Sequence, residues 1–204
     1  MKKFEVCAVI LARAGSRRLP GKNTTDFCGK PLIARTIEAA KNSRYIKRII
    51  CSTDSEDIAK ISKRCGAEAP FIRPKELALD ETSSVDSLLH ALRYAAESEN
   101  YFPEIVVLLQ PTSPLRTSRH IDEALELFIS KRPKSVVSVK RSKITPPYLK
   151  TLAGNKLVSL ECAKKNCSNV RKADRDYYCA NGAIYITSPE TLRLCKTFWT
   201  DNTL

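Results

Sequence analysis

The sequence predicts an α/β fold, a mainly parallel sheet with helices on both faces, and three observations carry that prediction. Short β-branched runs recur along the chain at Val6–Leu11, Ile49–Cys51, Ile105–Leu109 and Val136–Val139. Segments with apolar residues three and four apart separate them. Cap and turn residues stand where one pattern gives way to the next. A continuous apolar run bounded by turn signals reads as a strand buried on both faces. Strands alternating with helices lie side by side in a parallel sheet, whose ligands bind at the carboxyl ends of the strands.

The first strand, Val6–Leu11, runs into a polar loop holding Gly15, Gly21 and Gly29. Pro31 then opens a helix with Ile33, Ile37 and Ala40 on one face, proline being suited to a first turn. After the strand at Ile49–Cys51, Thr53-Asp54-Ser55 caps a helix carrying Ile58, Ile61 and Cys65, and Gly66 ends it. Val85, Leu88, Leu89, Leu92 and Ala96 make the clearest amphipathic helix. The strand Ile105–Leu109 follows, then a helix with Ile121, Ala124, Leu125 and Phe128, then Val136–Val139. There the rhythm changes. Tyr148–Leu152 and Lys156–Leu160, joined by Ala153-Gly154-Asn155, read as a hairpin, and Lys- and Arg-rich sequence extends to Asp176. A last strand at Ala183–Thr187 precedes a helix opened by Ser188-Pro189-Glu190 as cap, first-turn proline and first-turn acid. The expectation is one domain, residues 1–204, with residues 140–177 as a protruding arm.

At 204 residues, 22.8 kDa and 43% hydrophobic composition, the chain is long enough to bury a core. No apolar run approaches the ~20 residues of a membrane span, and Arg13 interrupts the N-terminal run too early for a signal peptide. Eight cysteines contain no Cys-x-x-Cys and have no His at ligand spacing, so free thiols and a reducing, cytoplasmic compartment are expected rather than a zinc site or a disulfide frame. Cys7, Cys51, Cys65 and Cys195 fall in apolar patterns and read as small hydrophobes. His90 and His120 lack obvious partners and read as structural.

Net charge is +13, unevenly distributed. Residues 1–60 carry 13 basic and 6 acidic groups, residues 61–130 carry 7 and 11, and residues 131–176 carry 13 and 3. Such a balance suits nucleic acid or a small polyanion. No nucleic-acid recognition motif is present, and the aromatics are not interleaved with the basic runs as a stacking platform requires, which favours the small anion.

The loop Ala12–Asn23 places four cations, Arg13, Arg17, Arg18 and Lys22, with Gly15 and Gly21 at the end of a buried strand. Gly lets backbone N–H groups approach a phosphate, and Arg and Lys add charge-assisted donors. It is no Walker A loop, because five residues separate the glycines and Asn23 stands where Ser or Thr must reach Mg²⁺. A second loop, Gln110–Arg116, offers Gln110, Thr112, Ser113 and Arg116 on a turn stiffened by Pro111 and Pro114.

Taken together, AVILARAGSRRLPGKN at Ala8–Asn23, GKPLI at Gly29–Ile33, STD at Ser52–Asp54, FIRP at Phe71–Pro74, LLQPTSPLR at Leu108–Arg116, SVVSV at Ser135–Val139 and NGAIYI at Asn181–Ile186 resemble the acylneuraminate cytidylyltransferases, or CMP-sialic acid synthetases. The resemblance covers nearly the whole chain in order. It implies a Rossmann-like nucleotidyltransferase fold, a homodimer made through the arm, and transfer of CMP from CTP to an N-acylneuraminic acid or similar nonulosonic acid, with release of pyrophosphate. It further implies Arg13 and Lys22 as the catalytic, triphosphate-binding cations, with Ala12, Ala14, Ser16 and Asn23 in the same nucleotide loop. Arg73, Ser83 and Ser84 would lie at the nucleoside, and Gln110, Lys150, Arg171, Asn181 and Tyr185 at the sugar acid.

Several points stay open. Arg18-Leu19-Pro20-Gly21-Lys22 also resembles CMP-Kdo synthetases, although these carry an acidic motif where Gln110–Arg116 stands here. CMP-legionaminate and CMP-pseudaminate synthesis are further alternatives. The family holds Mg²⁺ with a C-terminal Asp-x-Asp pair, and no such pair follows Tyr185. Mg²⁺ is therefore expected from the resemblance with its ligands unassigned, and truncation, other ligands or a catalytically impaired CTP- and sugar-binding homologue are the readings this leaves.

Overall fold

A computed structural model of the chain describes residues 4–16, 19–143, 150–153, 156–159 and 176–204. In chain order these form β1 (Val6–Leu11), α1 (Leu32–Lys41), β2 (Arg48–Ser52), α2 (Glu56–Cys65), a 3-10 turn at Lys75–Leu77, α3 (Ser84–Glu99), β3 (Ile105–Leu109), α4 (Ser118–Lys131), β4 (Ser135–Arg141), β5 (Lys150–Ala153), β6 (Lys156–Ser159), β7 (Tyr178–Thr187) and α5 (Pro189–Cys195). Five strands make one sheet in the order β2-β1-β3-β7-β4. β1 pairs in parallel with β2 and β3, with Ile10 opposite Cys51 on one side and Leu109 on the other.

The runs at Val6–Leu11, Ile49–Cys51 and Ile105–Leu109 are buried on both faces, as their lack of alternation predicts, whereas Val139 at the end of the fourth run is exposed. Ala8 and Ile10 of β1 pack with Ile33 and Ile37 of α1, Ile58 of α2 and Leu125 of α4. Cys7 and Val9, pointing the other way, pack with Leu88 of α3 and with Leu192 and Phe198. Burying each Ile or Leu side chain contributes about 1.5–3 kcal/mol, so the central strands carry much of the stability.

The predicted caps are made. Ser55 Oγ accepts the Ile58 N–H at 3.4 Å, Gly66 closes α2 at φ +98°, and Ser188 Oγ accepts the Thr191 N–H at 3.1 Å. His120 is structural as expected, its Nδ1 taking the Thr117 N–H in a capping box. His90 packs edge-on against Phe71 with ring centroids 4.9 Å apart.

β7 runs antiparallel to β3, Tyr185 opposite Leu108, within the mainly parallel sheet that was expected. Two expectations need correction. β7 begins at Tyr178, five residues before the predicted Ala183. Its first four residues are exposed, so no apolar pattern marks them. Cys195 is exposed at the end of α5 rather than packed. Cys7 and Cys51 are fully buried as predicted, and desolvation pushes their thiols up to about 12 and about 11. All six cysteines among the described residues are free.

The chain divides into two units, residues 1–138 with 182–204, and residues 139–181, which contain the predicted arm. Within the second unit β5 and β6 form the expected antiparallel hairpin, Thr151 opposite Val158, and Arg141 pairs with Asp176. No helix among the described residues is long and apolar enough to cross a membrane.

Candidate functional site

Because β1, β2 and β3 are parallel, their carboxyl ends deliver three loops to one edge of the sheet. The loop after β1 is pinned from several sides. The Ala12 N–H donates to the Ser52 carbonyl at 3.1 Å, and the Ala14 N–H to Asp54 Oδ1 at 2.8 Å. The buried Asn23 amide donates to the Arg13 carbonyl at 2.9 Å, while the Asn23 carbonyl accepts the Ile33 N–H at the start of α1. Gly21 makes the turn between them at φ +65°, its carbonyl taking the N–H groups of Thr24 and Thr25.

These loops enclose a cleft of about 250 Å³. Arg13, Ser16, Lys22 and Asn23 line it from the β1 loop, Arg73 from the segment after α2, and Gln110 and Thr112 from the β3 loop. Three cations thus converge where the sequence predicts an anion. Arg73 is only 4% exposed, and its guanidinium hydrogen-bonds to no described residue, although its backbone N–H is held by the Thr53 carbonyl at 2.7 Å. Burial lowers its pKa, with Arg13 adding repulsion and Asp54 partly compensating. A buried guanidinium whose Nε has no acceptor is costly, which makes Arg73 a candidate anion-binding group rather than a packing residue. Arg13 is already engaged, donating to the Ala78 carbonyl at 3.3 Å and forming an ion pair with Asp80.

The structure brings together Arg13, Ser16, Lys22, Asn23, Arg73, Ser84 and Gln110, and the Ala12 and Ala14 backbone frames them. Ser83 lies outside the cleft lining, where its Oγ caps α3 by accepting the Val85 N–H at 3.1 Å. Ser87, which sequence reasoning passed over, lines the cleft instead, one helical turn beyond Ser84. The i,i+3 spacing was the available signal. Asp80 was also missed, since nothing local marks it as the partner of Arg13. Tyr185 is placed away from the lining, its ring 5.1 Å from that of Phe198 in the core and its hydroxyl pKa raised by burial. In the second unit the Asn181 amide donates to the Val139 carbonyl at 3.2 Å. Lys150 lies in β5, and its side chain and the whole of Arg171 fall outside the described residues.

For a metal ion the donor set is poor. No group of three or more His, Cys, Asp or Glu is placed to hold one among the described residues. The two carboxylates flanking the β1 loop are occupied, Asp54 by the Ala14 N–H and Asp80 by Arg13. Among the described residues, then, no cluster of protein donors is placed to hold Mg²⁺ by itself.

Comparison with known proteins agrees with this geometry. A family model described as cytidylyltransferase matches residues 7–194. The CMP-N,N'-diacetyllegionaminic acid synthase of Legionella pneumophila is 37% identical over 202 residues, covering 98% of this chain and 85% of that protein. The N-acylneuraminate cytidylyltransferase of Escherichia coli is 36% identical over 201 residues, and the chain spans 97% of itself but 45% of that longer protein. Among solved structures, a CMP:2-keto-3-deoxy-manno-octonic acid synthetase complexed with CTP superposes with a TM-score of 0.68 at 20% identity, covering 94% of this chain and 77% of that one, and so shows the shared fold.

Proposed function

The chain belongs to the cytidylyltransferase family, and from that premise we propose that it transfers CMP from CTP to an N-acylneuraminic acid, releasing pyrophosphate. The observation that carries the reading is the convergence of Arg13, Lys22 and the unpartnered Arg73 in one cleft at the carboxyl ends of the strands. The anomeric hydroxyl of the sugar acid attacks the α-phosphorus, so that a sugar O–P bond forms as the bond to the bridging oxygen of pyrophosphate breaks, and the hydroxyl proton passes to water. Arg13 and Lys22 hold the triphosphate in line and neutralise charge that grows on the leaving group, where positioning and electrostatics supply most of the rate. Arg73 and Ser84 take the nucleoside end, and Gln110 faces the sugar. Mg²⁺ would enter on the triphosphate, held by phosphate oxygens and water, which suits an ion that dehydrates reluctantly.

A second reading, CMP-legionaminate synthesis, is favoured by the 85% coverage of the Legionella relative. The arm, residues 140–177, is proposed to join two subunits and to bring Lys150 and Arg171 to the acid's carboxylate, a planar anion suited to bidentate Arg. Buried free thiols support a reducing, cytoplasmic setting. Pyrophosphate release from CTP is measured with N-acylneuraminic, legionaminic, pseudaminic and Kdo acids in turn. Turnover with the first supports the main reading, turnover with another reassigns the acid, and no turnover with any reduces the protein to a binding role.

A further inference from the structure

Arg116 is 6% exposed and pairs with no described carboxylate. Its Nη1 donates to two carbonyls, that of Gln110 at 3.1 Å and that of Ala183 at 2.8 Å, whereas Nε and Nη2 are buried without partners. Burial alone pulls its pKa down to about 10. A core chosen for stability would place an apolar side chain here, because replacing a buried charge with a hydrophobic residue of similar volume is often neutral or stabilising. The arginine is therefore retained for what Nη1 joins, the first residue of the β3 loop and the inner half of β7.

A second contact falls at the same junction. Gly182, next to Ala183, has φ +78°, and a β-carbon placed on it would lie 2.9 Å from Gln110 Oε1. The Gln110 amide thus lies against a stretch of backbone that only glycine leaves open. Arg116 fixes the Gln110 backbone while Gly182 admits its side chain, and Gln110 lines the cleft.

We propose that Arg116 and Gly182 are positioning residues that set the Gln110 amide in the cleft for the sugar acid. The proposal rests on the reading of Gln110 as the substrate-facing group. Because a single nitrogen serves both carbonyls, a lysine ammonium can replace it, whereas a thioether cannot.

The test compares Arg116→Met, Arg116→Lys and Gly182→Ala with the unaltered protein. The side-chain amide resonances of Gln110, assigned by their loss in Gln110→Ala, are expected to be dispersed in the unaltered protein and to collapse toward free-glutamine positions in Arg116→Met and Gly182→Ala. In pyrophosphate-release kinetics, the KM for the N-acylneuraminic acid should rise roughly tenfold or more in both variants while the CTP Kd changes less than about twofold, and Arg116→Lys should recover most of the loss. In a Gln110→Ala background the effect of Arg116→Met should largely vanish. Unchanged Gln110 resonances, or equal rises in the sugar KM and the CTP Kd, overturn the proposal. If Arg116→Met does not fold, Gly182→Ala carries the same comparison. Absence of turnover in the unaltered protein counts against the assigned reaction, and the amide resonances still decide the positioning.

Discussion

Asp54 accepts the Ala14 N–H through Oδ1 at 2.8 Å, so the loop after β2 holds the loop after β1 with its own carboxylate. The same carboxylate partly compensates the buried charge of Arg73. On the proposed function it would therefore act on CTP in opposite senses, shaping the cradle and offsetting the positive charge within it.

Two substitutions separate those effects. Asp54→Asn keeps an oxygen acceptor for Ala14 and removes the negative charge, so CTP should bind at least as tightly as to the unaltered protein. Asp54→Ala removes both, and loss of the hydrogen bond should weaken CTP binding by about 1 kcal/mol, roughly fivefold. Calorimetric titration decides it, and identical affinities for the two variants would show that the bond does not shape the site.

Lys22 lines the cleft, and among the described residues no side-chain hydrogen bond or ion pair holds it. If CTP binds there as proposed, its triphosphate displaces no described partner of Lys22. Lys22→Ala should weaken CTP binding by about 1.5–3 kcal/mol, the range for hydrogen bonds to charged groups. An unchanged dissociation constant would remove this loop from the nucleotide site.

What could be read from sequence was local. The strands at Val6–Leu11 and Ile105–Leu109 show in their composition because burial on both faces demands unbroken apolar runs. The caps Ser55 and Ser188 show because capping involves a residue and its third neighbour. The anion loop shows because glycines and cations at a strand's end have few other uses. What remained hidden depends on residues far apart in the chain. The Arg13–Asp80 pair spans 67 positions and the Arg116–Ala183 contact also 67, and no periodicity reports either. Ser83 and Ser84 are adjacent and chemically equal, yet helix phase sends one to the cap and the other to the cleft.

His90 makes stability depend on pH. Burial lowers its pKa below the ordinary value of 6.5, with Arg93 and then Arg73 adding repulsion, and its Nδ1 is buried without a partner between α3 and the Phe71 ring. Tyr94, the other ring against Phe71, brings no charge to offset a proton. The unfolded chain therefore binds a proton more readily than the native one. Stability from the neutral ring is fully present above pH 6.5 and is lost as pH falls from there through the lower folded value. The urea midpoint should drop between pH 7.5 and 5.5, and His90→Asn should flatten that slope. An equal slope in the variant would assign the dependence to other groups.

On the proposed function, Asp80 would compete with the triphosphate for Arg13. It belongs to the segment after the 3-10 turn that supplies both partners of that guanidinium, the Ala78 carbonyl and the Asp80 carboxylate. The Arg13 and Asp80 side chains are 32% and 28% exposed, so water screens the pair and its net worth is small, about 0.2–1 kcal/mol. A triphosphate bound as proposed would bring several charges to the same guanidinium and exceed that attraction, but it would first have to release Asp80. Asp80→Asn keeps the volume, removes the competing charge and makes the cleft more positive. CTP binding should tighten by roughly threefold, within the range for an exposed ion pair, and its salt dependence should steepen. Arg13→Ala should weaken CTP, and in that background the gain from Asp80→Asn should shrink because the guanidinium for which Asp80 competes is gone. Calorimetry at two salt concentrations on the four proteins tests this directly. If Asp80→Asn weakens CTP, or helps equally without Arg13, then Asp80 acts on the nucleotide by some route other than the guanidinium it holds.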